Sequence, residues 1–330
     1  MGDFTMQTAR GWIVAILLIF AFALSVTGTA YAQGYPNRDL TFIVPYAPGG
    51  ATDPISRQFA VQLEKALRGN VNVENKPGGS GTIGVGAIVR SKPDGYTIGL
   101  GSATSLVYQA IVNRNLAWKT VDDYQPIVKL CELPNVLFVR ADAPWKTFEE
   151  FLAEVRKHPG KIRASVPGLR TGPDLTVQQF NQIAGVKIAT IPFTGGSGEA
   201  TIALLGGRVE SQSSSGATNL GHVQAGKLRA LAVFQKGKYE PFPQATPAFH
   251  AYGKATLLTM YCVIAPKGMA RDVQDKLVAA SLQSVRSEEF MKVTKASGYV
   301  LDAKGPEALK AELMEYSKGF SDVIKFLDQK

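Results

Sequence analysis

The sequence predicts an α/β fold with parallel-type sheets and helices on both faces. Two observations carry that expectation. Short apolar runs alternate with helix-period segments along most of the chain. Between them, glycine-bearing loops recur where a strand hands over to a helix, the repeating βα pattern of layered α/β proteins.

Leu40–Val44 (LTFIV) reads as a buried strand, and PYAPGGATD, Pro45–Asp53, as the loop after it. In the next segment Ile55, Phe59, Leu63 and Leu67 recur every four residues and share one helix face. Asp53 suits the N-cap of that helix, Pro54 its first position and Gly69 its stop. Val71–Glu74 is a short strand, Thr82–Ser91 a small helix and Thr97–Gly101 a strand, with a helix in SLVYQAIV. Val136–Arg140 is a strand, and Thr147 with Glu150 forms a capping box opening FEEFLAEVRK. Ile162–Val166 is a strand, followed by a helix in DLTVQQFNQIA, a strand in VKIATIPF and a helix in EATIALLGG. RVESQ and LRALAVF read as strands, and helices are expected near Asp272–Val285 and Pro306–Leu327.

At 330 residues and 45% hydrophobic content, the chain can bury a large core or two ordinary ones. The formal net charge is +9, but the basic residues are scattered and form no block. Nucleic-acid binding gathers phosphate contacts on one face, so that class is set aside. Arg10 precedes the apolar run Trp12–Val26, and Ala30-Tyr31-Ala32 follows. This is the pattern of a secretory signal over residues 1–32, with the cut after Ala32; the competing reading is an uncleaved anchor. No cysteine follows the cut, so a lipid anchor is not expected there. The exported chain would be soluble and periplasmic. An oxidising compartment permits a disulfide between Cys131 and Cys262; two buried apolar thiols is the other reading.

Catalytic and metal motifs are scarce. His158, His222 and His250 are the three histidines, none at metal-ligand spacing from a cysteine or another histidine. There is no G-x-S-x-G elbow and no G-x-x-x-x-G-K-[ST]. Gly79–Gly84 matches G-x-G-x-x-G, but Asn75, Lys76 and Pro77 separate it from its strand, and Asp94 lies too near for the expected acid. No metal or cofactor is expected.

The loops PYAPGGATD, NKPGGSGT, GSATS, SVPGLRTGPD and PFTGGSGE all follow strands, the edge where open α/β sheets bind ligands. They are rich in backbone and hydroxyl donors and poor in acids and bases. Together with the helix starts, that suits holding a small anion, foremost a carboxylate. Asp53 is the best single acid near the loops, with helix capping as the favoured role for it.

These stretches carry a family resemblance. PYAPGGATDPISR, VENKPGGSGTIGV with PDGYT after it, and IPFTGGSGEATIALLGGRVE with GKLRALAV after it occur in family order. The chain is similar to the periplasmic solute-binding proteins of tripartite tricarboxylate transporters, the Bug family. The resemblance implies a two-domain periplasmic-binding-protein fold of the type 2, Venus-flytrap kind. Residues 33–131 and 261–330 would form one domain and 132–260 the other, joined by crossing strands and closing on a cleft. Both cysteines would lie near the crossings. It also implies that Tyr46, Ala47, Pro48, Gly49, Gly50 and Asp53, with Ser102, Thr104 and Ser105, hold one carboxylate, partly through water. Ser80 belongs with them. Arg170 and Thr171, with Phe193, Thr194 and Gly195, would close on the other end. Gly168-Leu169-Arg170-Thr171 departs from the family's usual small polar residues, and Arg170 is either a bidentate partner for a second carboxylate or a surface charge. The run Ser211–Ser215 would place Ser213 and Ser214 on a hydroxyl-rich cleft floor. The absence of an acid there favours a plain dicarboxylate over an amino acid. The implied partners are a small organic carboxylate and the permease subunits of a tripartite tricarboxylate transporter, with the protein itself a monomer. A protein presenting its ligand to a membrane sensor is the alternative. An exported enzyme using Ser80 or Ser197 is a more distant one.

Overall fold

The computed structural model describes residues 34–48, 52–235, 237–248 and 259–328. The signal segment 1–32 with its cut, Gly49, Gly50 and His250 lie outside the described residues. Residues 38–330 form one unit.

The chain opens with β1 (Leu40–Val44), α1 (Asp53–Leu67), β2 (Val71–Asn75), α2 (Thr82–Val89) and β3 (Thr97–Ser102). A turn of π-helix, Thr104–Tyr108, runs into α3 (Gln109–Val112) and then β4 (Tyr124–Leu133). Next come β5 (Asn135–Arg140), α4 (Phe148–Lys157), β6 (Arg163–Val166), α5 (Gly172–Ala184), β7 (Ala189–Pro192) and α6 (Gly196–Leu205). They are followed by β8 (Ser211–Ser215), α7 (Gly216–Gln224), β9 (Leu228–Val233) and β10 (Thr246–Pro247). The chain finishes with β11 (Thr259–Pro266), α8 (Arg271–Val285), α9 (Glu288–Ala296), β12 (Val300–Lys304) and α10 (Pro306–Asp328).

The strands form two mixed six-stranded sheets, ordered β12-β4-β11-β3-β1-β2 and β10-β9-β5-β8-β6-β7. The βα units pair in parallel, as in β3-β1-β2 and β8-β6-β7. The pairs of β4 and β11 in the first sheet, and of β5 with β8 and β9 in the second, are antiparallel. β4 ends at Leu133 in the first sheet and β5 starts at Asn135 in the second, so Pro134 alone separates them.

Burial explains the apolar runs. In β5, Leu137 and Val139 join one core with Phe148, Phe151 and Phe180. Val136 and Phe138 face the other way, into a core with Leu204, Tyr239 and Phe242. A strand covered on both faces has no reason to alternate with polar residues. The first sheet packs Ile43, Cys262 and Ile264 against α2 and against Leu309, Leu313 and Phe320 of α10. Its other face carries Phe42 on Phe59 of α1, with ring centroids 5.5 Å apart.

Three local expectations shift. The position before α1 is Thr52, so Asp53 is its first residue, and Arg68 rather than Gly69 takes the left-handed stop. The strand placed at RVESQ forms instead at Ser211–Ser215, all of it buried. Serine and glutamine make a poor strand by propensity. This one holds because its hydroxyls have partners: Ser211 Oγ donates to the Arg163 carbonyl at 3.0 Å, and Ser213 Oγ to that of Pro173 at 3.1 Å.

Both cysteines are free thiols. Tyr261 sits opposite Cys131 across the β4–β11 pair, while Cys262 sits opposite Lys129. Successive strand residues point to opposite faces, so the two sulfurs leave the sheet on opposite sides. The disulfide that the compartment would permit is therefore not formed, and the other reading, two buried thiols, describes the pair. Burial pushes both thiols up.

Candidate functional site

A cleft of about 540 Å³ opens among the strand-to-helix loops. Of the residues expected to bind, Tyr46, Ala47, Ser80, Ser102, Thr104, Thr171 and Thr194 line it.

The first loop is built around Ser102. Tyr46 Oη lies 2.8 Å from Ser102 Oγ, and Ser102 Oγ also accepts from Ser105 N at 3.0 Å. The Ser105 hydroxyl accepts from Ser102 N at 3.0 Å and from Ser102 Oγ at 3.1 Å. Ser105 is thus a fully buried brace, outside the lining. Burial raises the Tyr46 phenol despite the hydrogen bonds to Ser102 and Ser105, so it stays neutral. Gly81, at φ 91°, presses on this group. A Cβ there would lie 3.0 Å from Ser105 Cβ and 3.3 Å from Tyr46 Oη, so only glycine fits without a shift.

Asp53 braces the same loop from behind. It accepts from Arg57 Nε at 3.0 Å and from Asn75 Nδ2 at 3.2 Å, and that same Asn75 nitrogen holds the Tyr46 carbonyl at 3.0 Å. Asp53 does not line the cleft, and neither does Pro48, which is exposed.

On the opposite wall, Arg170 is not among the lining residues. Its backbone is left-handed at φ 58°, and its N–H donates to Asp174 Oδ2 at 2.7 Å. Phe193 packs beside the core of the second sheet, and the Gly195 N–H donates to Glu199 Oε2 at 2.8 Å. Neither lines the cleft. Ser213 and Ser214 also stay out of it: they are sealed inside β8, with Ser214 Oγ accepting from Asn219 Nδ2 at 3.1 Å. Ser215, the next residue, does line it.

Sequence reasoning missed Thr52, Leu133, Asn135, Ser215, Thr259 and Tyr261, all of which line the cleft. The pairing of β4 with β11, and the handover from β4 to β5, bring Leu133, Asn135, Thr259 and Tyr261 together across more than a hundred residues of chain. Asn135 Nδ2 reaches Thr259 Oγ1 at 3.3 Å. Gly172, the first residue of α5, is a point of close approach: a Cβ there would lie 2.6 Å from Thr259 Oγ1 and 3.8 Å from Thr104 Oγ1.

Among the described residues, no lining side chain is Lys, Arg, His, Asp or Glu. The positive field comes from helix ends. Thr52 precedes α1, Thr171 precedes α5, Thr194 and Ser197 flank the start of α6, and Ser215 precedes α7. These helices run 15, 13, 10 and 9 residues. None of the four has a side-chain cap bond to its first turn. Helix starts without side-chain caps therefore meet in a neutral, hydroxyl-lined cleft, with the first N–H of α6 held by the Phe193 carbonyl at 3.2 Å and that of α7 by the Pro134 carbonyl at 3.1 Å; their positive dipole ends suit an anion.

A sequence profile described as "Tripartite tricarboxylate transporter family receptor" matches residues 55–310. Protein BugT of Bordetella pertussis is 27% identical over 315 residues, covering 95% of this chain and 96% of that protein. A TctC solute binding protein from Polaromonas is 30% identical with a TM-score of 0.75, covering 88% of this chain and 99% of that one. Two structures from Rhodopseudomonas palustris share the fold at 23% identity. MatC, solved with bound malate, has a TM-score of 0.75 over 88% of this chain and 100% of its own. The other, solved with adipate, has a TM-score of 0.76 over 88% and 97%. With the profile spanning most of its length, this chain belongs to the tripartite tricarboxylate transporter receptor family of solute-binding proteins.

Proposed function

We propose that the protein captures a small organic carboxylate, foremost a dicarboxylate, in the periplasm and delivers it to the permease of a tripartite tricarboxylate transporter. The observation that carries this reading is the convergence of four helix N-termini on a cleft with no charged side chain among its described lining residues. Neutral donors of this kind bind an anion reversibly, and nothing among the described lining residues pairs a nucleophile with a base. The malate and adipate of the two R. palustris neighbours are diacids, which supports the ligand class. In this reading, 33–131 with 261–330 and 132–260 are two domains that close on the ligand, each donating to it. Binding then favours the closed state because only that state makes both sets of contacts. The export signal at 1–32 supplies the periplasmic location.

Thermal unfolding of the chain from Gln33 onward tests this. The panel is succinate, malate, glutarate, adipate, citrate, terephthalate, aspartate and glutamate. A ligand at a hundred times its Kd adds about 2.7 kcal/mol to the folded state. A midpoint raised by one or more of these acids is the expected result, and no shift with any acid overturns the reading.

A further inference from the structure

Asn135 is 1% exposed and lines the cleft where β4 hands over to β5. Its amide is only half used. Nδ2 donates to Thr176 Oγ1 at 2.7 Å and reaches Thr259 Oγ1 at 3.3 Å. Oδ1 has no donor among the described residues. Turning the amide over would leave Oδ1 only the Thr259 hydroxyl, at 3.3 Å, as a donor, and would strand the Nδ2 hydrogens where Oδ1 now lies, with no described acceptor. The Thr176 hydroxyl already donates to the Gly172 carbonyl at 2.8 Å, so it has only lone pairs to offer Asn135. The chain Asn135 Nδ2 to Thr176 Oγ1 to the Gly172 carbonyl fixes the orientation and leaves an acceptor over.

A buried acceptor without a donor is costly, and native structures rarely keep one without a use. We propose that Asn135 Oδ1 is a specificity group that accepts a hydrogen bond from a ligand hydroxyl, so that the preferred ligands are hydroxy-substituted dicarboxylates. This rests on the carboxylate reading above and narrows it. The carbonyl is closed off in the present arrangement, so the ligand reaches it while the cleft is open and is enclosed afterwards. Enclosure makes the choice stringent, because a ligand lacking the hydroxyl leaves Oδ1 buried and unpaired. An ammonium group could also donate, but no described acidic side chain lines the cleft to balance its charge.

Titration calorimetry with matched pairs tests this: succinate against malate, and glutarate against 2-hydroxyglutarate, with aspartate as the ammonium arm. In the native protein, the hydroxy acid of at least one pair should bind roughly ten- to a hundredfold more tightly than its plain partner. Aspartate should bind less tightly than malate. In Asn135→Ala the hydroxyl preference should vanish. Equal affinities within both pairs in the native protein overturn the proposal, whether or not the variants fold. So does a preference that survives Asn135→Ala, or tighter binding of aspartate than of malate. If plain and hydroxy acids bind alike, only the role of Asn135 falls; if no acid binds at all, the carboxylate reading falls with it.

Discussion

Replacing Lys129 with methionine should destabilise the protein by about 2–4 kcal/mol near neutral pH, and the loss should shrink in acid. The Lys129 side chain is fully buried. It donates to Glu132 at 2.7 Å, to Asp302 at 2.6 Å and to Glu312. The three carboxylates have oxygens within 4.8 Å of one another. Like charges at such a distance repel by about 3.5 kcal/mol per pair at an effective dielectric constant near 20. Without Lys129, Lys304 is the one cation left among them in the described residues, 2.8 Å from Asp302 and 2.9 Å from Glu312. Removing one partner from a buried ion cluster costs about 3–5 kcal/mol. The carboxylates are 16–27% exposed, so water offsets part of that and the lower range applies. Burial pushes the Asp302 carboxyl up, but hydrogen bonds from Lys129 and Lys304 outweigh it and the net shift is downward. A lowered carboxyl contributes stability above its unfolded pKa of about 3.9 and loses it as pH falls through the folded value. Burial would lower Lys129, but Glu132 and the hydrogen bonds to all three carboxylates raise it. That contribution is complete below about pH 10.4 and fades only above it. Urea unfolding of native and Lys129→Met protein at pH 7 and near pH 3.5 measures both effects. A loss under about 1 kcal/mol at pH 7, or one of equal size at both pH values, would refute the reasoning.

Three further outcomes are expected. Ligand affinity should stay flat from about pH 6 to 9, because burial raises the Tyr46 and Tyr261 phenols and the described lining holds no other titratable side chain; a calorimetric Kd that drifts more than about threefold contradicts this. Gly172→Val should leave a folded protein that binds its acid at least about tenfold more weakly, because the added carbons meet Thr259 and hold α5 away from Thr104. Unchanged affinity would mean that this approach is not needed for binding. Dithiothreitol should not move the unfolding midpoint, and an aromatic disulfide reagent should label Cys131 and Cys262 only on unfolding, since both thiols are free and buried. Rapid labelling of the native protein would contradict their placement.

Sequence alone determined the local units. Leu40–Val44 reads as a strand from its apolar run, and Phe148–Lys157 as a helix from the Thr147–Glu150 capping box, because strand burial and helix capping act over a few neighbouring residues. It also placed the glycine loops at helix starts; the family resemblance, not local pattern, singled out Tyr46, Ser80, Ser102, Thr104, Thr171 and Thr194, which line the cleft. It could not sort those loops further. Ser105 and Asp53 are the same kinds of residue as their cleft-facing neighbours, and only tertiary hydrogen bonds turn them into braces. The long strand Tyr124–Leu133 and its partner Thr259–Pro266 escaped periodicity because burial on both faces erases alternation. Their antiparallel register decided that Cys131 and Cys262 lie on opposite faces, a matter of pairing across about 130 residues that no local pattern encodes. That crossing also brought Leu133, Asn135, Thr259 and Tyr261 into the cleft. The hydroxyl and backbone donors of the cleft are written locally, residue by residue. The unpartnered carbonyl of Asn135 exists only because strands distant in sequence meet there.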